Sequence, residues 1–173
     1  LPSLRLDSFS FRVMEEIQGY KKSGLTFAPE AGTQRLRNII NKDISDEEIF
    51  SAARQAFELG WNTIKLYFMI GLPGETDEDL DGIAEIARKM VWIYKEIHGG
   101  KVGRLGITVS VSNFVPKGHT PFQWMAQDTE AEFTRKHLYL KEKIRPMKQV
   151  RLNYHDSKTS YLEAVLARGD RRL

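Results

Sequence analysis

One stretch decides how this chain folds: Leu66-Tyr67-Phe68-Met69-Ile70-Gly71-Leu72-Pro73-Gly74-Glu75-Thr76. An apolar run of strand length ends abruptly at Gly-Leu-Pro-Gly, and the acidic start of a helix follows at once. This pattern predicts a tight turn at the carboxyl end of a β-strand. Since α/β folds bind their ligands at that end of the strands, the stretch also predicts a binding site.

The same order of strand, loop and helix recurs about five times, at intervals of about 30–45 residues, which is typical of βαβ units and a parallel sheet. Strands are predicted at 4–8, 25–28, 62–70, 105–111 and 150–155, and helices at 11–17, 34–40, 45–60, 76–97, from 129 to about 145, and from 160 onward. The fold class is therefore α/β, with parallel strands and outer helices. No linker divides the chain, so we expect a single domain over residues 1–173.

The size of the chain excludes some classes of protein. Its 173 residues are few for a closed eight-unit barrel, which usually needs about 250 residues, so we expect only part of a TIM-like barrel. No apolar run approaches the roughly 18 residues that cross a bilayer, and the first residues do not form a signal peptide. We therefore expect a cytoplasmic protein without membrane association.

The residue types also limit the chemistry. The chain has no cysteine, which excludes disulfides and thiolate ligands for a metal or cluster within it. The four histidines fall on different predicted elements without a spaced pair, so we predict no metal-ligating residue in this chain. Sequence motifs of P-loop, Rossmann and serine-hydrolase sites are absent as well.

Three strand ends carry candidate binding residues. Glu30 can project a carboxylate into a shared pocket and accept two hydrogen bonds from a ligand, although it could instead cap the helix that begins near Gln34. Gly71 and Gly74 let the backbone approach a flat ligand, or simply supply a turn that needs positive φ. Residues 114–116, Phe-Val-Pro, offer an exposed backbone and an apolar wall.

Together these strand ends resemble the C-terminal half of the radical S-adenosylmethionine (radical SAM) superfamily, whose partial (βα)6 barrel holds a 4Fe-4S cluster and the cofactor. Residues 30–36 are similar to that superfamily's fourth-strand Glu-Ser-Gly-Ser motif, with Ala31 in place of the first Ser. Residues 70–76 are similar to its fifth-strand Gly-Leu-Pro-Gly-Glu-Thr turn. Residues 114–117 and 120–124 are similar to its sixth-strand segment. The likeness is strongest to uncharacterised members that are often fused to a cobalamin-binding domain.

The resemblance implies both a cofactor and a reaction. Its cofactor is S-adenosylmethionine, which the intact enzyme cleaves reductively to a 5'-deoxyadenosyl radical with an electron from the 4Fe-4S cluster, and cobalamin is open as a further cofactor. The substrate is not implied, so RNA and small molecules both remain open. The cofactor-binding residues that the resemblance implies are Glu30, Ile70, Gly71, Phe114, Val115 and Pro116. It implies no catalytic residue.

The chain departs from that superfamily in one large respect. The cluster is held there by a Cys-x-x-x-Cys-x-x-Cys loop near the first strand, and a chain without cysteine cannot supply it. We therefore expect a fragment that lacks the N-terminal half of the barrel and is inactive alone, with a genuine cluster-free relative as the alternative. A half-barrel exposes strand edges, so self-association is also expected.

Two other functions remain open on the residues alone. One is a different (β/α) barrel enzyme with acid/base chemistry at Glu30, His119 and Asp7. The other is a non-catalytic module that binds RNA or a protein partner through basic residues near the C-terminus. Those residues are Lys141, Lys143, Arg145, Lys148, Arg151 and the tail at 168–172.

Overall fold

Strands and helices alternate along the chain in the structure, a computed structural model that describes residues 24–171. The strands are β1 (Leu25–Glu30), β2 (Thr63–Ile70), β3 (Gly106–Asn113) and β4 (Val150–Tyr154). The helices are α1 (Gln34–Ile39), α2 (Asp46–Glu58), α3 (Asp77–Ile97), α4 (Glu130–Ile144) and α5 (Ser157–Arg168). The strand at 4–8 and the helix at 11–17 that the sequence predicts lie outside the described residues, and the single domain over residues 1–173 stays a prediction.

The four strands form one parallel sheet in the order β1-β2-β3-β4. Each neighbouring pair follows directly in the chain with a helix between them, as in βαβ units. The carboxyl ends of all four strands therefore lie along one edge. The predicted α/β fold with parallel strands and outer helices is confirmed, and it is consistent with a partial TIM-like barrel.

One face of the sheet is apolar and packs on the helices. Ile64, Leu66, Phe68 and Ile70 of β2 are buried in a core that α2, α3 and α4 complete. Because side chains alternate along a strand, the residues between them point to the other face, which we call the inner face. There Lys65 and Met69 are only partly buried and Tyr67 is exposed.

Helix starts follow the capping signals in the sequence. Ser45 and Glu48 form the predicted capping box of α2, and Asp79 accepts a hydrogen bond from the backbone N–H of Thr76 at 2.7 Å at the start of α3. The last helix begins three residues earlier than predicted. Its start is Ser157, because the side chain of Asp156 caps it by accepting from the N–H of Thr159. None of the helices in residues 24–171 is long and apolar enough to cross a membrane.

Two glycines let the loop after β1 lie directly on α3. A Cβ on Gly82 would lie 2.4 Å from the carbonyl oxygen of Gly32, and a Cβ on Gly32 would lie 2.0 Å from that of Asp79. Such contacts are too short for any side chain. The loop that follows Glu30 is thus fixed against the helix that follows the Gly71 turn.

We expect Gly82→Ala to lower the free energy of unfolding, measured by urea denaturation. Overpacking costs of about 1–3 kcal/mol exceed the roughly 1 kcal/mol that alanine gains over glycine within a helix. Gly106→Ala is the matched control, because a Cβ there meets nothing within 4 Å. Equal stability of the two variants would contradict the close approach.

Candidate ligand-binding site

The carboxyl ends of β1, β2 and β3 enclose a cavity of about 370 Å³. It is mainly apolar, with a single carboxylate and one lysine at its wall. The residues that line it are Glu30, Ile40, Met69, Leu72, Phe114, Val115, Lys117, Thr120 and Phe122. An apolar cavity with a few polar groups at this edge of a parallel sheet is the usual form of a small-molecule site.

Glu30 supplies the carboxylate of the cavity. It is the last residue of β1 and has φ 70, a backbone conformation that is uncommon for a residue other than glycine. Thr33 caps α1 by accepting from the N–H of Leu36 at 3.2 Å, so the alternative role of Glu30 as the helix cap is wrong. The contact between its Oε1 and Lys42 Nζ is long, at 3.6 Å. The carboxylate is therefore available to a ligand.

The segment after β3 supplies backbone groups. Phe114 uses both of its own, because its N–H donates to the carbonyl of Ile70 at 2.8 Å and its carbonyl accepts from Nε2 of Gln127 at 3.1 Å. Val115 also lines the cavity, and its N–H and carbonyl have no hydrogen-bond partner among residues 24–171. Val115 thus brings to the cavity wall a donor and an acceptor that no residue of the range 24–171 occupies.

The remaining predicted residues lie beside the cavity rather than in its lining. Ile70 points its side chain into the core on the outer face of the sheet, and Pro116 is buried away from the cavity. The Gly71 N–H is already bound to Glu75 Oε1 at 2.8 Å. That these residues bind a cofactor stays a prediction. In the structure, the hydrogen bonds of Ile70 and Gly71 fix the backbone beside the cavity.

Six of the lining residues were not predicted as binding residues: Ile40, Met69, Leu72, Lys117, Thr120 and Phe122. The alternation along β2 contains a signal for one of them. Since Ile64, Leu66, Phe68 and Ile70 share the core face, Met69 has to face the other way, toward the cavity. Ile40 and Leu72 lie outside the strands, where no such periodicity applies.

A buried lysine fixes the turn after β2. Lys136 Nζ of α4 lies 2.7 Å from Glu75 Oε1 and 2.6 Å from Asp128 Oδ2, and only 7% of Lys136 is exposed. Burial raises the pKa of Glu75, against the opposing effects of Lys136 and the Gly71 N–H. Burial lowers the pKa of Lys136, but its two carboxylate partners outweigh this effect and the pKa is raised.

Gly71 is required at this turn for two reasons. Its φ of +78° lies in the region that glycine adopts without strain, and a Cβ there would lie 2.6 Å from the ring of Phe133. The backbone at the end of β2 therefore sits directly on α4. This packing confirms the interpretation of Gly71 as a turn that needs positive φ.

Asp79 ties the loop after β1 to the start of α3. It is 1% exposed, and it accepts hydrogen bonds from the side chains of Thr33 and Arg35 and from the N–H of Thr76. Burial alone would raise the pKa of Asp79. The hydrogen bonds from Thr33 and Thr76 and the charge of Arg35 outweigh burial, so the pKa is lowered.

The described part of the chain contains most, but not all, of the residues of the two alternative functions. His119 is exposed and does not line the cavity, and Asp7 lies outside the described residues. Among the basic residues, Lys143 forms an ion pair with Asp81 at 2.7 Å, whereas Arg151 is on the inner face of the sheet, away from α4. Lys141, Arg145 and Lys148 are exposed, and both alternative functions stay predictions.

Comparison with known proteins shows which family the chain is similar to. Residues 2–87 match the family model of the Radical SAM superfamily. The chain is also 34% identical over 171 residues to Uncharacterized protein MJ0966 of Methanocaldococcus jannaschii, an alignment that covers 99% of this chain and 35% of that protein. The chain thus spans about a third of the length of this relative.

We expect Lys136→Met to lower the free energy of unfolding by about 3–5 kcal/mol, the cost of leaving a buried charge without its partner. Urea denaturation followed by circular dichroism measures this loss. Adding Glu75→Gln to the same variant should restore part of it, because the unpaired carboxylate is then removed.

Arg135→Met is the matched control. Arg135 is the neighbouring residue and also binds two carboxylates, those of Asp77 and Glu132, but on the exposed surface. Its removal should cost less than about 1 kcal/mol. Similar losses for both variants would show that Lys136 has no special place in the fold.

We expect the free energy of unfolding to fall in acid because the Asp79 carboxylate becomes protonated. Its folded-state pKa is lowered from the ordinary value of 3.8, so its contribution is present above that value and is lost as pH falls through the folded pKa. Unfolding free energies of the parent and of Asp79→Asn, measured from about pH 5 downward, should therefore converge in acid. Parallel curves would contradict the lowered pKa.

Proposed function

The chain belongs to the Radical SAM superfamily, and on that premise we propose that its cavity receives the adenosyl group of S-adenosylmethionine. One observation carries this proposal: the Glu30 carboxylate after β1 and the backbone of Val115 after β3, whose N–H and carbonyl have no partner among residues 24–171, line one apolar cavity on either side of β2. A nucleoside presents vicinal hydroxyls at one end and a flat base with donors and acceptors at the other. The Glu30 carboxylate suits the first end, and the backbone of Val115 suits the second.

Each side of the cavity has a separate task in this proposal. The Glu30 carboxylate accepts two hydrogen bonds from the ribose hydroxyls, in the manner of charge-assisted bonds. The N–H and carbonyl of Val115 bind the edge of the base. The apolar side chains of Met69, Leu72 and Phe114 contact the base and exclude water, which strengthens the polar contacts. The chain thereby binds and orients the cofactor, which supplies radical chemistry when bound and reduced.

The residues of this chain do not fit the second cofactor of the superfamily. Without cysteine, the 173 residues provide no thiolate for a 4Fe-4S cluster. We propose that the cluster is held by other segments of a longer enzyme, of which this chain is the part that holds the adenosyl group. Consistent with this, the matched relative extends well beyond the aligned region.

The test is binding of S-adenosylhomocysteine to the chain, measured by isothermal titration calorimetry. We expect one site per chain and, for Glu30→Gln, affinity lower by about tenfold, the loss expected when a charge-assisted hydrogen bond becomes a neutral one. Glu78→Gln is the control, because Glu78 is exposed on the first turn of α3. Absence of binding, or equal effects of both substitutions, would overturn the proposal.

A further inference from the structure

The inner face of the sheet is lined with polar residues, and their order is set by the strand register. Across the sheet from β1 to β4, Thr26 lies level with Lys65, Lys65 with Thr108, and Thr108 with Arg151. We call these four residues the lower row. They come near the start of their strands, below the cavity.

A second row lies between the lower row and the cavity. Tyr67, Ser110 and Asn153 are at one register level, two residues further along their strands. The next inner-face residue of β2 is Met69, which already lines the cavity. At about 3.3 Å per residue, Lys65 lies about 13 Å along the strand from Met69. The inner face is thus a continuous polar path that leads to the proposed cofactor site.

The lower row carries two positive charges that no acid among residues 24–171 balances. Lys65 Nζ lies over the ring of Tyr67, 4.5 Å from its centroid, and forms no ion pair with residues 24–171. Arg151 is exposed and likewise has no carboxylate partner among the described residues. The described strands place no aspartate or glutamate on the inner face below Glu30.

This arrangement differs from the other basic residues near the site. Lys136, Arg135 and Lys143 each bind at least one carboxylate. In the lower row, by contrast, the Lys65 ammonium and the Arg151 guanidinium lie on the two strands that flank β3. Thr108 of β3 adds a hydroxyl donor between them. Guanidinium forks, ammonium groups and hydroxyls together bind phosphate oxygens well.

We propose that the lower row binds a phosphoryl group of the substrate. That the ligand is a substrate rests on the proposed function, but the anion site itself does not. An elongated substrate then reaches from the Lys65 level to the cavity, with the hydroxyl and amide groups of the second row beside its middle part. The substrate class is accordingly a phosphorylated molecule long enough to span about 13 Å along the strands.

The direct test is titration of the ¹⁵N-labelled 173-residue chain with inorganic phosphate, followed by amide chemical shifts. We expect the shifts to cluster at the starts of β2, β3 and β4. Lys65→Gln and Arg151→Gln should each weaken binding by about tenfold, the loss expected for one charge-assisted contact. Acetate is the comparison anion, and tighter binding of acetate than of phosphate would overturn the phosphoryl assignment.

One control tests whether other basic residues bind the phosphate. A second tests whether the lower row merely stabilises the fold. The pair Lys141→Gln and Lys148→Gln removes exposed charges of the basic C-terminal region. If that pair abolishes phosphate binding while the lower-row variants keep it, the proposal is wrong. The lower-row variants should also retain the melting temperature of the parent chain, and a fall of several degrees would show that carboxylates outside residues 24–171 already occupy these cations.

The two proposals fail independently of each other. Titration with S-adenosylhomocysteine in the same samples reports on the cavity at Glu30, and phosphate reports on the lower row. Phosphate binding without adenosyl binding would leave the anion site standing and remove the cofactor assignment. Adenosyl binding without phosphate binding would support the cofactor assignment and overturn the anion site.

Discussion

The buried contact between Lys136 and Glu75 is the interaction on which the candidate site depends. It joins residues that are 61 positions apart, one in the turn after β2 and the other in α4. Through Glu75 it also fixes the N–H of Gly71, and through Asp128 it holds the loop before α4. Ile70, at the end of β2, in turn binds the N–H of Phe114. Two of the three strand ends at the cavity are therefore held in place by one lysine.

The two faces of the sheet differ in polarity. Its outer face is apolar and is covered by helices, which supplies most of the hydrophobic stabilisation of the described residues. Its inner face is polar and carries hydroxyl groups and two cations that form no ion pair with residues 24–171, and such groups can bind ligands. In a parallel sheet that is covered on both faces, the sequence of each strand is a nearly continuous apolar run. Instead, β3 alternates Ile107, Val109 and Val111 with Thr108, Ser110 and Ser112, which is the pattern of a sheet facing a polar interior on one side.

Local signals account for what the sequence predicted well. The capping box at Ser45 and the turn at Gly71 each lie within a few consecutive residues, so their positions could be predicted directly. The partners of Lys136 and the close approach of Gly32 and Gly82 could not, because each joins residues that meet only after the sheet has formed. Ile70 illustrates a different limit. The strand was predicted, but the direction of its side chain was not, and the packing of the helices on one face of the sheet places that side chain in the core.

The central claim is that the cavity bordered by Glu30 and Val115 binds the adenosyl group of S-adenosylmethionine. A crystal structure of the chain soaked with S-adenosylhomocysteine tests it most directly. We expect ribose hydroxyls on the Glu30 carboxylate and the edge of the base on the backbone of Val115. An adenosyl group bound elsewhere on the chain, with this cavity filled only by solvent, would contradict it.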